Sequence, residues 1–171
     1  ALDWVLSGGK PWLFHLTNDL LHGLVSGVVA LLVWLWAGLL WSARPGRESW
    51  RLAAALCAGA LFAVHPVHGE AVNLITYRTT LLSSLGVVVG MLLHTRSGRW
   101  GPLWVALAYG FGLMAKEDAL VLPGLMVVID LAFGRLFPLR RAHLMRYVPV
   151  LLVAVIYLGV HSSLTGSASL D

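Results

Sequence analysis

Six apolar runs, divided by short charged loops, leave few folds open to this chain. They are Leu20 to Trp41, Leu52 to Val64, Thr80 to Leu93, Pro102 to Ala115, Ala119 to Phe133 and Tyr147 to Val160. The first has the roughly 20 residues that carry a helix through the hydrocarbon of a bilayer. In lipid every backbone N–H and C=O must find its partner within the chain, which favours helices, and barrel strands would alternate apolar with polar residues. The expected fold is therefore all-α, a polytopic membrane bundle of about six transmembrane helices. A mean hydropathy of +0.81, with 58% apolar and 12% charged residues, sets the 171-residue chain apart from soluble domains of that length. With no internal repeat and no low-complexity linker, residues 1–171 read as one transmembrane domain. Residues 1–19 form an outer-side segment, 20–160 the helices and 161–171 an outer-side tail.

Charge sets the expected orientation. Nine of the twelve basic residues, Arg44, Arg47, Arg51, Arg96, Arg99, Arg135, Arg140, Arg141 and Arg146, fall in the loops after the first, third and fifth runs. Basic loops stay cytoplasmic, so both termini and the loop from His65 to Arg78 are expected on the outer side of an integral membrane protein. In a bacterium that is the inner membrane. The net charge of +4 is spread over these loops, which excludes a nucleic-acid patch. The lone Cys57 excludes an internal disulfide. "ALDWVLSGGKPW" lacks the basic start and apolar core of a signal peptide, so an upstream helix is expected to bring the chain across.

Runs two to six hold only 13 to 15 residues and reach spanning length by absorbing flanking charge. That draws "HPVHGEAVNLITYR" and "AKED" to the membrane boundary, where ionisable groups are costly unless they face a wet cavity or one another. Arg78 and Lys116 are thus candidates for holding an anion: a guanidinium pairs with phosphate oxygens, and an ammonium adds a compact charge fixed by Glu117. Snorkelling of Arg78 and mutual satisfaction within "AKED" are the plain alternatives. His65, His68 and Glu70 have ligand types that zinc accepts, but Pro66 and Gly69 interrupt helical spacing, so no metal or other cofactor is expected. "HLTNDLLH" places His15, Asn18 or Asp19, and His22 on one helix face, a polar stripe in which His15, Asn18 and His22 are expected to line a cavity. The bland reading of the same residues is a helix start capped by Thr17 or Asn18. Asp130 is expected to pair with a cytoplasmic arginine.

"LFAVHPVHGEAVNLITYRTTLLSSL", followed by "GLMAKEDALVLPGLMVVIDL", resembles the multi-spanning core of the transmembrane-and-tetratricopeptide-repeat O-mannosyltransferases and their bacterial relatives. The family's stretches read like HP-hydrophobic-HTEAV…GR-x-D-LL and SKE-x-x-x-TLP…D, and "PWLFHLTNDLLH" is similar to its helix entry. The resemblance implies a C-type glycosyltransferase that takes a sugar from a polyprenyl-phosphate carrier at the outer face. On this reading the carrier-binding residues are His65, His68, Glu70, Arg78, Lys116 and Glu117, and His15, Asn18 and His22 line the cavity. Gly69 stands where the family has threonine, and Thr80 where an acid often follows the arginine. The family's catalytic carboxylate belongs to a first outer loop expected before Ala1, so the chain reads as a fragment with no catalytic base of its own. Membrane lipids and a polyprenyl-phosphate-linked sugar are the expected partners. A non-catalytic multi-pass subunit of a larger respiratory or photosynthetic complex, contacting other subunits, is the alternative, supported by Gly86, Gly90, Gly110 and Gly112 as close-packing positions.

Overall fold

A computed structural model describes residues 4–5, 7–41, 46–96, 98–135 and 141–167. Asp3, Arg44, Arg140 and the end of the tail at 168–171 lie outside them. Among the described residues the structure is all-helical: α1 (Trp12–Trp41), α2 (Glu48–Val64), α3 (Gly69–Asn73), α4 (Arg78–Arg96), α5 (Gly101–Ala115), α6 (Leu122–Ala132), α7 (Arg141–Leu144) and α8 (Val148–Ser167). Each of the six apolar runs lies mostly on one of these helices, the fifth entering α6 through a 3₁₀ turn. The polar stripe is also helical: α1 begins at Trp12, which puts Thr17 and Asn18 inside the helix and removes them as caps.

Prolines place the breaks. Pro66 disfavours helical geometry at His65, which is extended at φ −67°, ψ 126° and ends α2. The His65 imidazole Nδ1 then accepts from the Val67 N–H at 3.2 Å, opening a short 3₁₀ turn at Pro66–His68. Pro102 and Pro123 sit in the first turns of α5 and α6, where their missing N–H costs nothing. Lys116 is extended between α5 and the 3₁₀ turn Glu117–Val121.

Side-chain contacts fix how the helices run. α2 returns antiparallel to α1, since the His22 imidazole Nε2 donates to the Ala63 carbonyl at 3.0 Å and Arg51 Nε to the Trp34 carbonyl at 2.8 Å. α4 runs parallel to α1, with Arg78 beside Asn18 at one end and Trp36 Nε1 bonded to Thr95 Oγ1 at 3.1 Å at the other. α5 comes back along α4, and Val105, Ala106, Tyr109, Leu113, Ala119, Leu122, Met126 and Val150 form a buried core between α4, α5, α6 and α8. The consequence is two ends. One gathers the loops after α1, α4 and α6, with Arg47, Arg99 and Arg135; the other holds the 65–78 loop and Lys116.

Apolar side chains also cover the outside. Leu24 and Leu31 of α1, Leu56 and Leu61 of α2, Leu107 and Phe111 of α5, and Leu152, Val155 and Ile156 of α8 are all exposed, far beyond the scattered apolar residues of a soluble surface. α1 is long and apolar enough to cross a bilayer; so are α2 and the Pro66–Asn73 segment taken as one span bent by 48°.

Glycines bring α4 and α5 together. A Cβ on Gly86 would lie 2.8 Å from both the Ala108 carbonyl oxygen and the Gly112 Cα, which are backbone atoms with little freedom to retreat. Such small-residue contacts let dispersion act between backbones where hydrophobic driving force is weak. Asp130 differs from expectation. Its carboxylate accepts from His94 Nε2 at 3.0 Å and from the Tyr147 hydroxyl at 2.8 Å, linking α4, α6 and the chain entering α8. Arg135 instead donates to the Thr95 carbonyl at 3.1 Å.

Gly86→Ala should lower stability by about 1–3 kcal/mol through overpacking, read as a lower thermal midpoint in detergent. Gly27→Ala, where an added Cβ meets nothing within 4 Å, is the control and should leave the midpoint in place.

Candidate functional site

The end opposite the arginine-rich loops is held by one carboxamide. Asn18, fully buried on α1, donates through Nδ2 to the carbonyls of Val72 at 3.3 Å and Leu74 at 3.2 Å. Its Oδ1 accepts from Arg78 Nε at 3.3 Å, and the Arg78 guanidinium also donates to Thr17 Oγ1 and lies 5.5 Å over the Phe14 ring. The 65–74 loop is thereby pinned to α1, with a cation stationed behind the pin.

On the loop's other side is a cavity of about 430 Å³ lined by Asp19, His22, His65, His68 and Asn73, among others. Three imidazoles meet here. The His68 ring centroid is 5.2 Å from that of His22 and 5.9 Å from that of His65, and Phe62 packs 4.2 Å from His68. Their bonds settle where the protons sit on the neutral rings. His22 Nε2 faces a carbonyl and must carry hydrogen, leaving Nδ1 as an acceptor, while His65 Nδ1 accepts and so leaves Nε2–H as a donor. Burial, then the neighbouring His22 and His65, push the His68 pKa below its ordinary 6.5.

His65 and His68 belong to two hollows at once. Behind them a groove of about 420 Å³ runs along Val29, Ala58, Leu61, Phe62 and Val67. The cavity, where the polar side chains gather, and the more apolar groove share the two imidazoles as their common wall, an arrangement suited to a molecule with a polar head and an apolar chain.

The remaining predicted residues lie elsewhere. Of the stripe, His22 reaches the cavity with Asp19; Asn18 serves as the tie, and His15 is exposed. Glu70 is exposed in the first turn of α3. Lys116 bonds Thr80 Oγ1 at 3.2 Å and pairs with Asp118 at 2.8 Å, so Asp118 takes the place expected of Glu117, which is exposed. The hydrogen bond that Lys116 donates to the Asp118 carboxylate raises the Lys116 pKa and keeps it charged. Thr80 lies about 200° around α4 from Arg78, so the two cations address different sides of that helix. Among the described residues, no three His, Cys, Asp or Glu side chains converge as a metal site. The tie at Asn18 was missed, although the i to i+4 spacing of Asn18 and His22 carried the signal, and Asp19, the alternative member of the stripe, lines the cavity.

The class defined by these features is an all-helical chain with a histidine-walled cavity at one end of a bundle whose outer surface is apolar. In particular, the chain is similar to one segment of the protein O-mannosyl-transferases. It is 31% identical over 144 residues to Tmtc2 of Drosophila melanogaster, 34% over 146 to TMTC4 of Homo sapiens and 32% over 149 to TMTC3 of Homo sapiens. These matches cover 78%, 76% and 81% of this chain. The chain spans only 14%, 19% and 15% of those relatives. No family model matches the chain, and no solved structure matches it.

Asn18→Ala removes both loop bonds and is expected to speed amide hydrogen exchange across residues 66–74, corresponding to about 1–3 kcal/mol of local stability; unchanged exchange there would clear Asn18 of the role. Acid should act on the same loop. With the folded pKa of His68 depressed, the unfolded loop binds the extra proton more readily, so the contribution of neutral His68 is intact above 6.5 and lost as pH falls through the folded value. Acid loosening measured by exchange should disappear in His68→Gln.

Proposed function

We propose that this chain is the membrane-embedded, donor-binding part of a glycosyltransferase that takes a sugar from a polyprenyl phosphate at the outer face of a membrane. The relatives' name makes the transferred sugar mannose and the acceptor a protein hydroxyl. In this reading α1, α2, α4, α5, α6 and α8 cross the bilayer, the arginine-rich loops stay cytoplasmic, and the 65–78 loop faces outward. The observation that carries it is the shared wall of His65 and His68. The apolar groove takes the first isoprene units, and the polar cavity takes the phosphate and sugar.

Departure of the sugar leaves a phosphate with more negative charge on its ester oxygen, and positioned donors that meet this charge lower the barrier. His65 Nε2–H is such a donor. Arg78 adds positive potential from behind Asn18, and Lys116 does so from the far side of α4. A carboxylate is the natural group to deprotonate the acceptor hydroxyl as it attacks the anomeric carbon; that role is assigned to no residue of this chain. The similarity to named transferases favours this reading over a non-catalytic subunit.

Two variants of the full-length protein test it. Arg78→Ala should slow mannose transfer about 10²-fold, while the purified protein keeps its circular dichroism. Leu61→Trp fills the groove and should raise KM for a long-chain donor more than for a short-chain analogue. Transfer undiminished in Arg78→Ala would strike Arg78 from the site, and equal effects on both donors in Leu61→Trp would remove the groove.

A further inference from the structure

The arginine-rich end carries a cavity of its own, of about 330 Å³, lined by Leu35, Gly38, Leu39, Arg51, Thr95 and Arg96. It opens where α1 ends, α2 begins and α4 ends. Arg51 is unusually well fixed for a side chain at such a place. Its guanidinium carbon lies 3.6 Å over the Trp34 ring, and Nε donates to the Trp34 carbonyl at 2.8 Å. Gly38 provides the seat, because a Cβ there would come 2.5 Å from Cζ and 2.7 Å from one terminal nitrogen. A snorkelling arginine needs none of this, since it only has to reach water.

Fixing the plane through Nε and the ring leaves the two terminal nitrogens, with their four N–H groups, to serve a ligand. Such a fork matches two oxygens of a phosphate. Arg96 is exposed on the same cavity wall and supplies a second cation. Among the described residues neither arginine has a carboxylate partner. Thr95 Oγ1 is already engaged, accepting from Trp36 Nε1 at 3.1 Å and donating to the Met91 carbonyl at 2.9 Å. Among the described residues no carboxylate offsets the charge in the cavity, and its surroundings are greasy: Leu39, Leu40, Trp50 and Leu52 are all exposed nearby in sequence on α1 and α2.

We propose that this cavity binds the phosphate of an anionic phospholipid headgroup, held between Arg51 and Arg96, with the acyl chains lying against Leu35 and Leu39. Basic pockets between helices on the cytoplasmic side are where such headgroups bind, and each arginine near the surface strengthens attraction to an anionic lipid roughly fivefold. A free phosphate would satisfy the same donors but would gain nothing from the leucine wall. The inference rests on the membrane placement proposed above and is independent of sugar transfer.

The test uses the full-length protein in nanodiscs of mixed phosphatidylglycerol and phosphatidylcholine, with bound lipid counted by native mass spectrometry. Phosphatidylglycerol should be retained over phosphatidylcholine, with the preference falling roughly fivefold in Arg96→Gln. Arg51→Gln should do the same. Gly38→Ala should weaken the preference without changing the charge, because it unseats Arg51. A preference as strong as wild type's in both Arg96→Gln and Gly38→Ala, or a thermal stabilisation by inorganic phosphate as large as that by phosphatidylglycerol, would overturn the proposal. Protein that fails to fractionate with membranes would refute the placement as well, whereas inserted protein indifferent to the headgroup would refute the lipid site alone.

Discussion

The carboxamide of Asn18 holds together everything at the polar end of this molecule. It is one side chain with two donors and an acceptor, and the structure uses all of them: two loop carbonyls and one guanidinium. The loop it holds is short and broken by Pro66, and the short helix α3 within it ends at Asn73, where a helix's last carbonyls lack partners in their own turns. A buried carbonyl with no donor costs more than an ordinary hydrogen bond yields. Asn18 bonds the Val72 carbonyl and joins the Tyr77 N–H as a second donor to the Leu74 carbonyl, which ties the loop to the apolar helices. The histidine wall, the cavity and the groove follow from that placement.

A second constraint works along the length of the bundle. Gly86 and Gly112 bring α4 and α5 into backbone contact, and a Cβ on Gly59 would meet the Ala30 Cβ at 2.8 Å, which sets α2 equally close to α1. Contacts this near fix helix rotation as well as spacing. Rotation in turn determines which polar side chains meet: His22 reaches Ala63, Trp36 reaches Thr95, and His94 reaches Asp130. The two ends therefore share one packing, although their chemistry differs.

The helices were largely legible from sequence because a run of apolar residues states the length and place of a helix without reference to its neighbours. α4, expected over Thr80–Leu93, extends to Arg78–Arg96, and α5 ends at Ala115 as expected. Pairings across helices were less legible. Asp130 was expected to meet an arginine and meets His94 and Tyr147; Lys116 was expected to lean on Glu117 and leans on Asp118. Each of these depends on which way a helix is turned about its axis, and run length carries no such information. His65 and His68 were readable as a pair because three residues on a proline-bent turn stay together whatever the helices do. Asn18 was noticed for its spacing, yet its partners lie 54 to 60 residues away, beyond what a local pattern can reach.

The length of α1 has a consequence for where chemistry can happen. Its 30 residues measure about 45 Å, against roughly 30 Å of hydrocarbon. Tilting alone would need more than the usual lean of such a helix. The first eight residues, Trp12 to Asp19, carry most of the helix's polar side chains, and they add about 12 Å of stiff rod. In a bilayer that rod would act as a mast: the loop lashed to it at Asn18 rides at a set height over the lipid, and a hydrocarbon-tethered substrate could be worked on only at the altitude where its tether lets it rise.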